Sequence, residues 1–325
     1  MKEKLKHNPM RDVTLKQLRV LAAIARTGRI TSAANELGVT PPAVTLQLQL
    51  LEESAGVPLF DRTKRGLRPT DAGAYMLGIQ ARIEAALSEC SESLRVMQGL
   101  GSGKVSVGVV STAKYFAPRM LAAFAEAHPQ IEVRLVVGNR EDTIAALAQL
   151  DLDIAVMGRP PESIEVEQQI IGDHPHVVIA SPNHRLASRR RIALQALDNE
   201  KFLLREAGSG TRTLMERMFA KAEIVPQIGM ELGSNETIKQ AVMAGLGIAF
   251  ISAHTVAAEV ESGRLCVLPV EGLPIVRQWY AVRNQEKHLL PAGTAMWEFL
   301  VSKGSGFLPD VSALIHPQTA SPRTR

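Results

Sequence analysis

Between Ile30 and Leu51 the apolar residues repeat at helical spacing, break at a glycine and repeat again, a pattern few folds accommodate. Ala33, Ala34 and Leu37 form the inward stripe of one short helix, which Gly38 ends at a position suited to a left-handed turn. Thr40 then reads as an N-cap, and Pro41 sits at the first helical position, where its missing N–H costs nothing. Val44, Leu48 and Leu51 are the inward stripe of the helix that follows. An earlier helix is marked by Leu15, Leu18, Leu21 and Ile24, with Gly28 as its stop. Two short helices about a Gly-containing turn make the helix-turn-helix pattern, whose second helix enters the major groove of DNA.

The charge distribution points the same way. The chain carries +4 overall, but residues 1–70 hold +6 and the remainder −2, so the polyanion partner is expected at the N-terminal segment. With Val44, Leu48 and Leu51 inward, Thr40, Pro42, Thr45, Gln47 and Gln49 are left on other faces as candidate DNA contacts, although a solvated polar face is the plain alternative. Phe60 to Pro69 reads as a β-hairpin wing with a Gly turn, and its Arg62, Lys64, Arg65 and Arg68 are the candidate phosphate contacts.

From Thr70 to about Gly99 the sequence has no proline. Met76, Ile83, Leu87, Cys90, Leu94 and Met97 share one stripe, and from Ile83 onward the 4, 3, 4, 3 steps make a heptad seam, read as a dimerisation helix over a helix packed on its own domain. Gly99 to Gly103 is read as a hinge. Beyond it, strand-like and helix-like stretches alternate in what reads as a parallel α/β pattern, with ligands expected at the carboxyl ends of strands. Strands are expected at 104–110, 131–137, 154–157, 177–180, 202–204, 230–232, 248–252 and 279–283, and helices at 115–127 and 142–150. The final ten residues or so read as a disordered tail.

The length of 325 residues suits about two domains. Two cysteines, Cys90 and Cys266, allow neither a disulfide framework nor a four-thiolate zinc site, and both thiols are expected to be buried and inert. No apolar run spans a membrane and the first residues lack the apolar core of an export signal, so a cytoplasmic location and no membrane partner are expected.

Several spaced motifs then match one family in order. Ala33-Ala-Asn-Glu-Leu-Gly-Val-Thr-Pro-Pro-Ala-Val-Thr45, Leu51-Glu52, Gly56-Val-Pro-Leu-Phe-Asp-Arg62 and Pro69-Thr-Asp-Ala-Gly73 closely resemble the winged helix-turn-helix of LysR-type transcriptional regulators. The resemblance implies an α/β chain with an all-α-rich N-terminal part: a winged helix-turn-helix over 1–70, a long linker helix and hinge over 71–103, and a two-lobed periplasmic-binding-protein-like effector domain over 104–304. Lobe I is expected at about 104–168 and 267–304, lobe II at about 169–266, and a tail at 305–325. Members usually carry a polar residue where this sequence has Pro41, and often a basic or polar one at Leu46, so base reading is assigned to Thr40, Thr45, Gln49 and the wing. Ser111 to Pro118, Gly138 to Glu141, Met157 to Pro161, His174-Pro-His176, Phe202 to Glu206, Gly208 to Thr213 and Gly233 to Gly245 look like strings of the regulators that control the RuBisCO operon. That implies transcriptional control of carbon-fixation genes by a homodimer or homotetramer on double-stranded promoter DNA, with RNA polymerase as a further partner.

The effector chemistry is read from two loops. Gly208-Ser-Gly-Thr211 follows a strand and opens a helix, so its amides and hydroxyls make an anion nest at the positive end of a helix dipole. Ser111-Thr112 makes a second. Either alone reads equally as an ordinary helix cap. Together they suggest a phosphorylated or carboxylated metabolite held by Ser111, Thr112, Gly208, Ser209, Gly210 and Thr211, with Lys114, Arg159 and Arg205 as counter-charges and Asn139 and Asn235 on its hydroxyls. No other cofactor or metal is expected, His174 and His176 being assigned structural roles for want of a third ligand. With no nucleophile, base and orienter in the pattern, an enzyme is not expected. The rivals are a LysR-type regulator of another regulon, or an enzyme or solute-binding protein with an accessory DNA domain.

Overall fold

The computed structural model describes residues 9–63, 66–97 and 103–315, which divide into two compact units, 1–91 and 92–325. In the first, helices α1 (Leu15–Thr27), α2 (Ile30–Leu37) and α3 (Pro41–Ala55) precede a hairpin of β1 (Phe60–Thr63) and β2 (Gly66–Pro69). Thr14 and Gln17 close a reciprocal capping box at the start of α1, and Gly28, Gly38 and Gly56 end the three helices in left-handed conformation; the sequence predicts the stops at Gly28 and Gly38 and the left-handed turn at Gly38. Their apolar stripes meet in one core, where Leu21, Ile24, Val44, Leu51 and Leu59 are fully buried. Burial of that kind contributes about 1.5–3 kcal/mol per side chain. The hairpin is pinned to the turn between α1 and α2 by the Leu67 amide donating to the Gly28 carbonyl at 2.8 Å. Gly66 sits at that approach with φ +125°, and a Cβ there would lie 2.5 Å from the Gly28 oxygen.

Helix α4 (Asp71–Met97) starts where the Thr70 hydroxyl accepts the Gly73 amide at 3.1 Å. The predicted stripe divides along its length. Met76 is buried in the core of the first unit and Ile83 packs half-buried against it, whereas Leu87, Cys90 and Leu94 are exposed. Cys90 is thus not buried, and Cys266 is half-buried, its thiol pushed up by burial. Helix α4 offers Cys90 no core to enter.

In the second unit β3 (Lys104–Val110) pairs in parallel with β4 (Glu132–Gly138) and β5 (Ile154–Met157), flanked by α5 (Ala117–Ala127) and α6 (Arg140–Ala148). The remainder departs from the parallel pattern read from the sequence. Two long strands, β6 (Val166–Ala180) and β11 (Ile275–Asn284), run antiparallel to each other, and β11 is antiparallel to β5. The far half of β6 pairs antiparallel with β9 (Ala249–Ser252) and β10 (Cys266–Leu268), while β7 (Lys201–Arg205) and β8 (Gln227–Leu232) form a separate parallel pair. Helices α7 (Gly210–Lys221), α8 (Asn235–Met243) and α9 (Ala257–Glu261) complete the second lobe, and α10 (Pro291–Lys303) returns to the first. The crossing half of β6 was illegible because Glu167, Gln168, Gln169 and Asp173 leave it without apolar alternation.

Where β6 enters the second lobe the alternation is plain. Val178 and Ala180 face one core with Phe202, Leu204 and Phe250, while Val177 and Ile179 face another with Leu203, Ala249 and Ile251. The chain also stays packed beyond 304. Leu308 lies against the first-lobe core, Val311 is buried in the second, and α11 (Ser312–Ile315) follows, so the tail does not begin at 305. The last ten residues and most of the hinge lie outside the described residues.

Candidate functional sites

The helix α3 presents the polar residues picked from sequence on its outer surface. Thr40, Pro42, Thr45 and Gln49 are exposed and Gln47 is half-buried. Thr40 is the N-cap without a side-chain cap bond, which leaves its hydroxyl outside the helix's own bonding. Thr45 Oγ1 instead donates back to the Pro41 carbonyl at 3.1 Å. In the wing Arg62 and Arg68 are exposed, but the register pairs Arg62 with Leu67 and Arg68 with Asp61, so the two arginines stand on opposite faces of the ribbon. Lys64 and Arg65 lie outside the described residues.

In the second unit a cavity of about 330 Å³ opens between the lobes, at the carboxyl ends of β3 and β7. Ser111, Thr112, Asn139, Arg159, Arg205, Ser209, Gly210 and Thr211 all line it, so the two loops singled out in sequence converge. They differ in quality. Ser209 caps the twelve-residue helix α7 with no side-chain cap bond, so its hydroxyl and the first amides of the helix are the anion-facing groups. The Ser111 amide already donates to the Gly138 carbonyl at 2.7 Å, and only a three-residue 3-10 turn follows it. The second loop therefore offers hydroxyls more than a nest.

Three residues expected in the site are elsewhere. Lys114 does not line the cavity, and its ammonium lies 5.3 Å from the Tyr115 ring centre. Gly208, with φ +81°, marks a close approach between lobes, where a Cβ would meet Glu141 Oε2 at 2.7 Å. Asn235 is fully buried outside the cavity, and its Oδ1 accepts from Arg205 Nη1 at 2.6 Å. It thus aims Arg205, which also chelates Glu206 through two bonds of 2.7 Å and donates to Ser111 Oγ across the cleft at 2.9 Å. With its oxygen engaged as acceptor, Ser111 keeps its own proton for a ligand.

The cavity holds cations that the sequence reading missed. Arg140, Arg217 and Arg277 line it beside Arg159 and Arg205. Arg205 is neutralised by Glu206 and Arg159 pairs with Glu162, whereas neither Arg217 nor Arg277 has a carboxylate partner among the described residues. Burial, then repulsion from Arg159 and Arg217, holds Arg140 below the usual guanidinium range, and its Nη2 is left donating to the carbonyls of Arg159 and Pro160. An anion in the cavity relieves that repulsion. Arg217 had a signal, being seven residues past Gly210 on one face of α7 with Leu214 between them. Arg277 had none, because only the pairing of β11 with β6 brings it opposite His174.

His174 and His176 close the inner wall. Both are buried, their rings 4.2 Å apart, and His174 stacks on Trp279 at 3.8 Å. Burial lowers His176 to about 3 and takes His174 well below the ordinary imidazole range, so the wall is neutral. Among the described residues no three His, Cys, Asp or Glu side chains are grouped to hold a metal, and no helix is long and apolar enough to cross a membrane.

A helix-turn-helix unit followed by a two-lobed ligand-binding unit defines a class, and comparison with known proteins identifies it. Residues 15–74 match the bacterial regulatory helix-turn-helix proteins of the lysR family and residues 98–305 match the LysR substrate binding domain, so the chain belongs to the LysR family of transcriptional regulators. Over 300 residues, 92% of this chain and 90% of the relative, it is 56% identical to the HTH-type transcriptional regulator CbbR of Xanthobacter flavus. The RuBisCO operon transcriptional regulator of Allochromatium vinosum is 42% identical over 90% of this chain and 97% of its own length. Among solved structures, the regulatory domain of CcmR from Synechocystis PCC6803 in complex with 2-PG aligns with a TM-score of 0.60 and 37% identity, covering 62% of this chain and 96% of that one.

Proposed function

We propose that this chain controls transcription of RuBisCO and other carbon-fixation genes, binding double-stranded promoter DNA in the cytoplasm as a homodimer that pairs into a homotetramer and responding to a small anionic metabolite. The regulon is supported by the relative whose name states it, the RuBisCO operon transcriptional regulator at 42% identity across nine-tenths of the chain. One observation carries the effector class: the hydroxyls of Ser111, Thr112, Ser209 and Thr211 share a cavity with five arginines and a single lining carboxylate, Glu162. Such a surplus of positive charge favours carboxylate or phosphate, and the solved relative in complex with 2-PG supports the same class. Thr40, Thr45, Gln49 and the wing arginines contact the operator in this reading, and Leu87, Cys90 and Leu94 meet their counterparts in a second copy. RNA polymerase is the partner through which a bound tetramer acts.

Gel-shift titration on the promoter region beside a RuBisCO operon, with and without a panel of phosphorylated and carboxylated metabolites, tests both halves. Specific retardation that one anion alters is expected. Retardation indifferent to every anion removes the effector reading, and no retardation on that DNA removes the regulon.

A further inference from the structure

We infer that Leu46 reads DNA, packing its side chain on the C5-methyl group of a thymine in the major groove. Sequence comparison with the family argued against this position, since leucine has no group with which to hydrogen-bond a base. The geometry of α3 reverses that judgement. Val44, Leu48 and Leu51 turn into the core, 0, 9 and 0% exposed, so the opposite face carries Pro42, Thr45, Leu46 and Gln49 at the spacing of one helical stripe. Leu46 stands in the middle of that stripe and is 52% exposed.

None of these four residues is charged, and the first charge along that face is Glu53, one turn beyond Gln49. The Thr45 hydroxyl spends its proton on the Pro41 carbonyl, so Thr45 offers a methyl group and an acceptor, leaving Gln49 as the sole side chain on the stripe able to bond a base edge in two places. Arginine or lysine at the centre of such a face selects guanine, whereas thymine's methyl is the apolar group that the major groove presents. A face of proline ring, threonine methyl, leucine and one amide is therefore matched to thymine–adenine steps, with Leu46 on the methyl and Gln49 on adenine. The wing offers basic groups of its own, Arg62 and Arg68 being exposed, so the leucine need not supply affinity to anchor the helix.

The inference rests on α3 being the DNA-reading helix, and the experiment separates the two. Full-length protein is used to select duplexes from a random library, and each thymine of the preferred duplex is then replaced by uracil, which deletes one methyl and changes no hydrogen bond. At one position in each half-site the replacement should weaken binding roughly fourfold, the worth of one buried methyl group. Leu46→Ala should bind the thymine and uracil duplexes alike and lose the preference at that base pair. Leu46→Met, which keeps an apolar tip, should retain the methyl sensitivity. Leu46 is a surface residue, so Leu46→Ala should keep the wild-type melting temperature and the wild-type salt dependence on random DNA. Uracil-indifferent binding by the wild type, or equal uracil sensitivity in Leu46→Ala, overturns the inference while leaving α3 as the reading helix. Failure to select any duplex overturns both.

Discussion

Thr211 stands within the first turn of α7, 6% exposed and lining the interlobe cavity, so a ligand bond made there is shielded from water. Thr211→Val keeps the shape and removes the hydroxyl. Calorimetric titration with the responding metabolite should show affinity reduced by about 1–3 kcal/mol, the cost of leaving a buried partner unsatisfied; a smaller change would take Thr211 out of the contact set. Charge gives a sharper contrast. Lys114 was the counter-charge visible in sequence, being next to the Ser111 loop, but its ammonium sits on Tyr115. Arg217→Ala should therefore weaken the anion at least tenfold while Lys114→Ala leaves its affinity within about twofold, and the reverse ranking would return the site to the sequence reading. What the sequence disclosed was local: hydroxyls and glycines where a strand turns into a helix. What it hid is tertiary, since Arg277 comes into the cavity from a strand pairing a hundred residues away, and Asn235 serves Arg205 from behind.

At the scale of elements, the starts of the three helices and the stops at Gly28 and Gly38 were legible because each helix carries its own stripe in a small core, whereas the stop at Gly56 that ends the third was not read. The long crossing strands were not, because a strand passing between lobes has no single buried face to set a period of two. Helix α4 shows both behaviours. Its first turns bury Met76 in the core below, while Leu87 and Leu94 remain 42 and 52% exposed, a cost in water that a partner helix would remove. Leu87→Asp would place a charge in that seam, so sedimentation should show a smaller oligomer and gel shifts a weaker complex, with the second unit still folded. Unchanged mass and affinity would mean that α4 is not the seam. The wing admits a parallel test. Arg62 pairs across the ribbon with Leu67 and Arg68 with Asp61, so Arg62→Ala should weaken binding to all DNAs and lower the salt slope by about one, more than Arg68→Ala does.

The second unit as a whole is tied together by three imidazoles that must stay neutral. His174, His176 and His254 are 4, 4 and 5% exposed; His174 and His254 lie parallel to Trp279, and His176 packs on His174, where β6 and β11 pass from one lobe to the other. Burial lowers His176 to about 3 and His254 to about 4, and it holds His174 well below the ordinary imidazole range, helped by its two neighbours and by Arg277. His254 Nδ1 accepts the Trp279 indole proton at 3.1 Å, a bond that only the neutral ring can make. In the unfolded chain all three would protonate near 6.5. From there down to about 3–4 the unfolded state binds protons that the native state refuses, so stability is fully present above 6.5 and drains away as the pH falls. Each histidine costs about 1.4 kcal/mol per pH unit in that window, or about 2 kcal/mol between pH 6.5 and 5. Denaturant unfolding of the second unit should accordingly show a midpoint that drops steeply from pH 7 to 5, and His176→Phe should make that drop shallower by one proton's worth. A midpoint flat over that range would mean that the imidazoles are hydrated, and with it would go the neutral inner wall against which the arginines concentrate an anion.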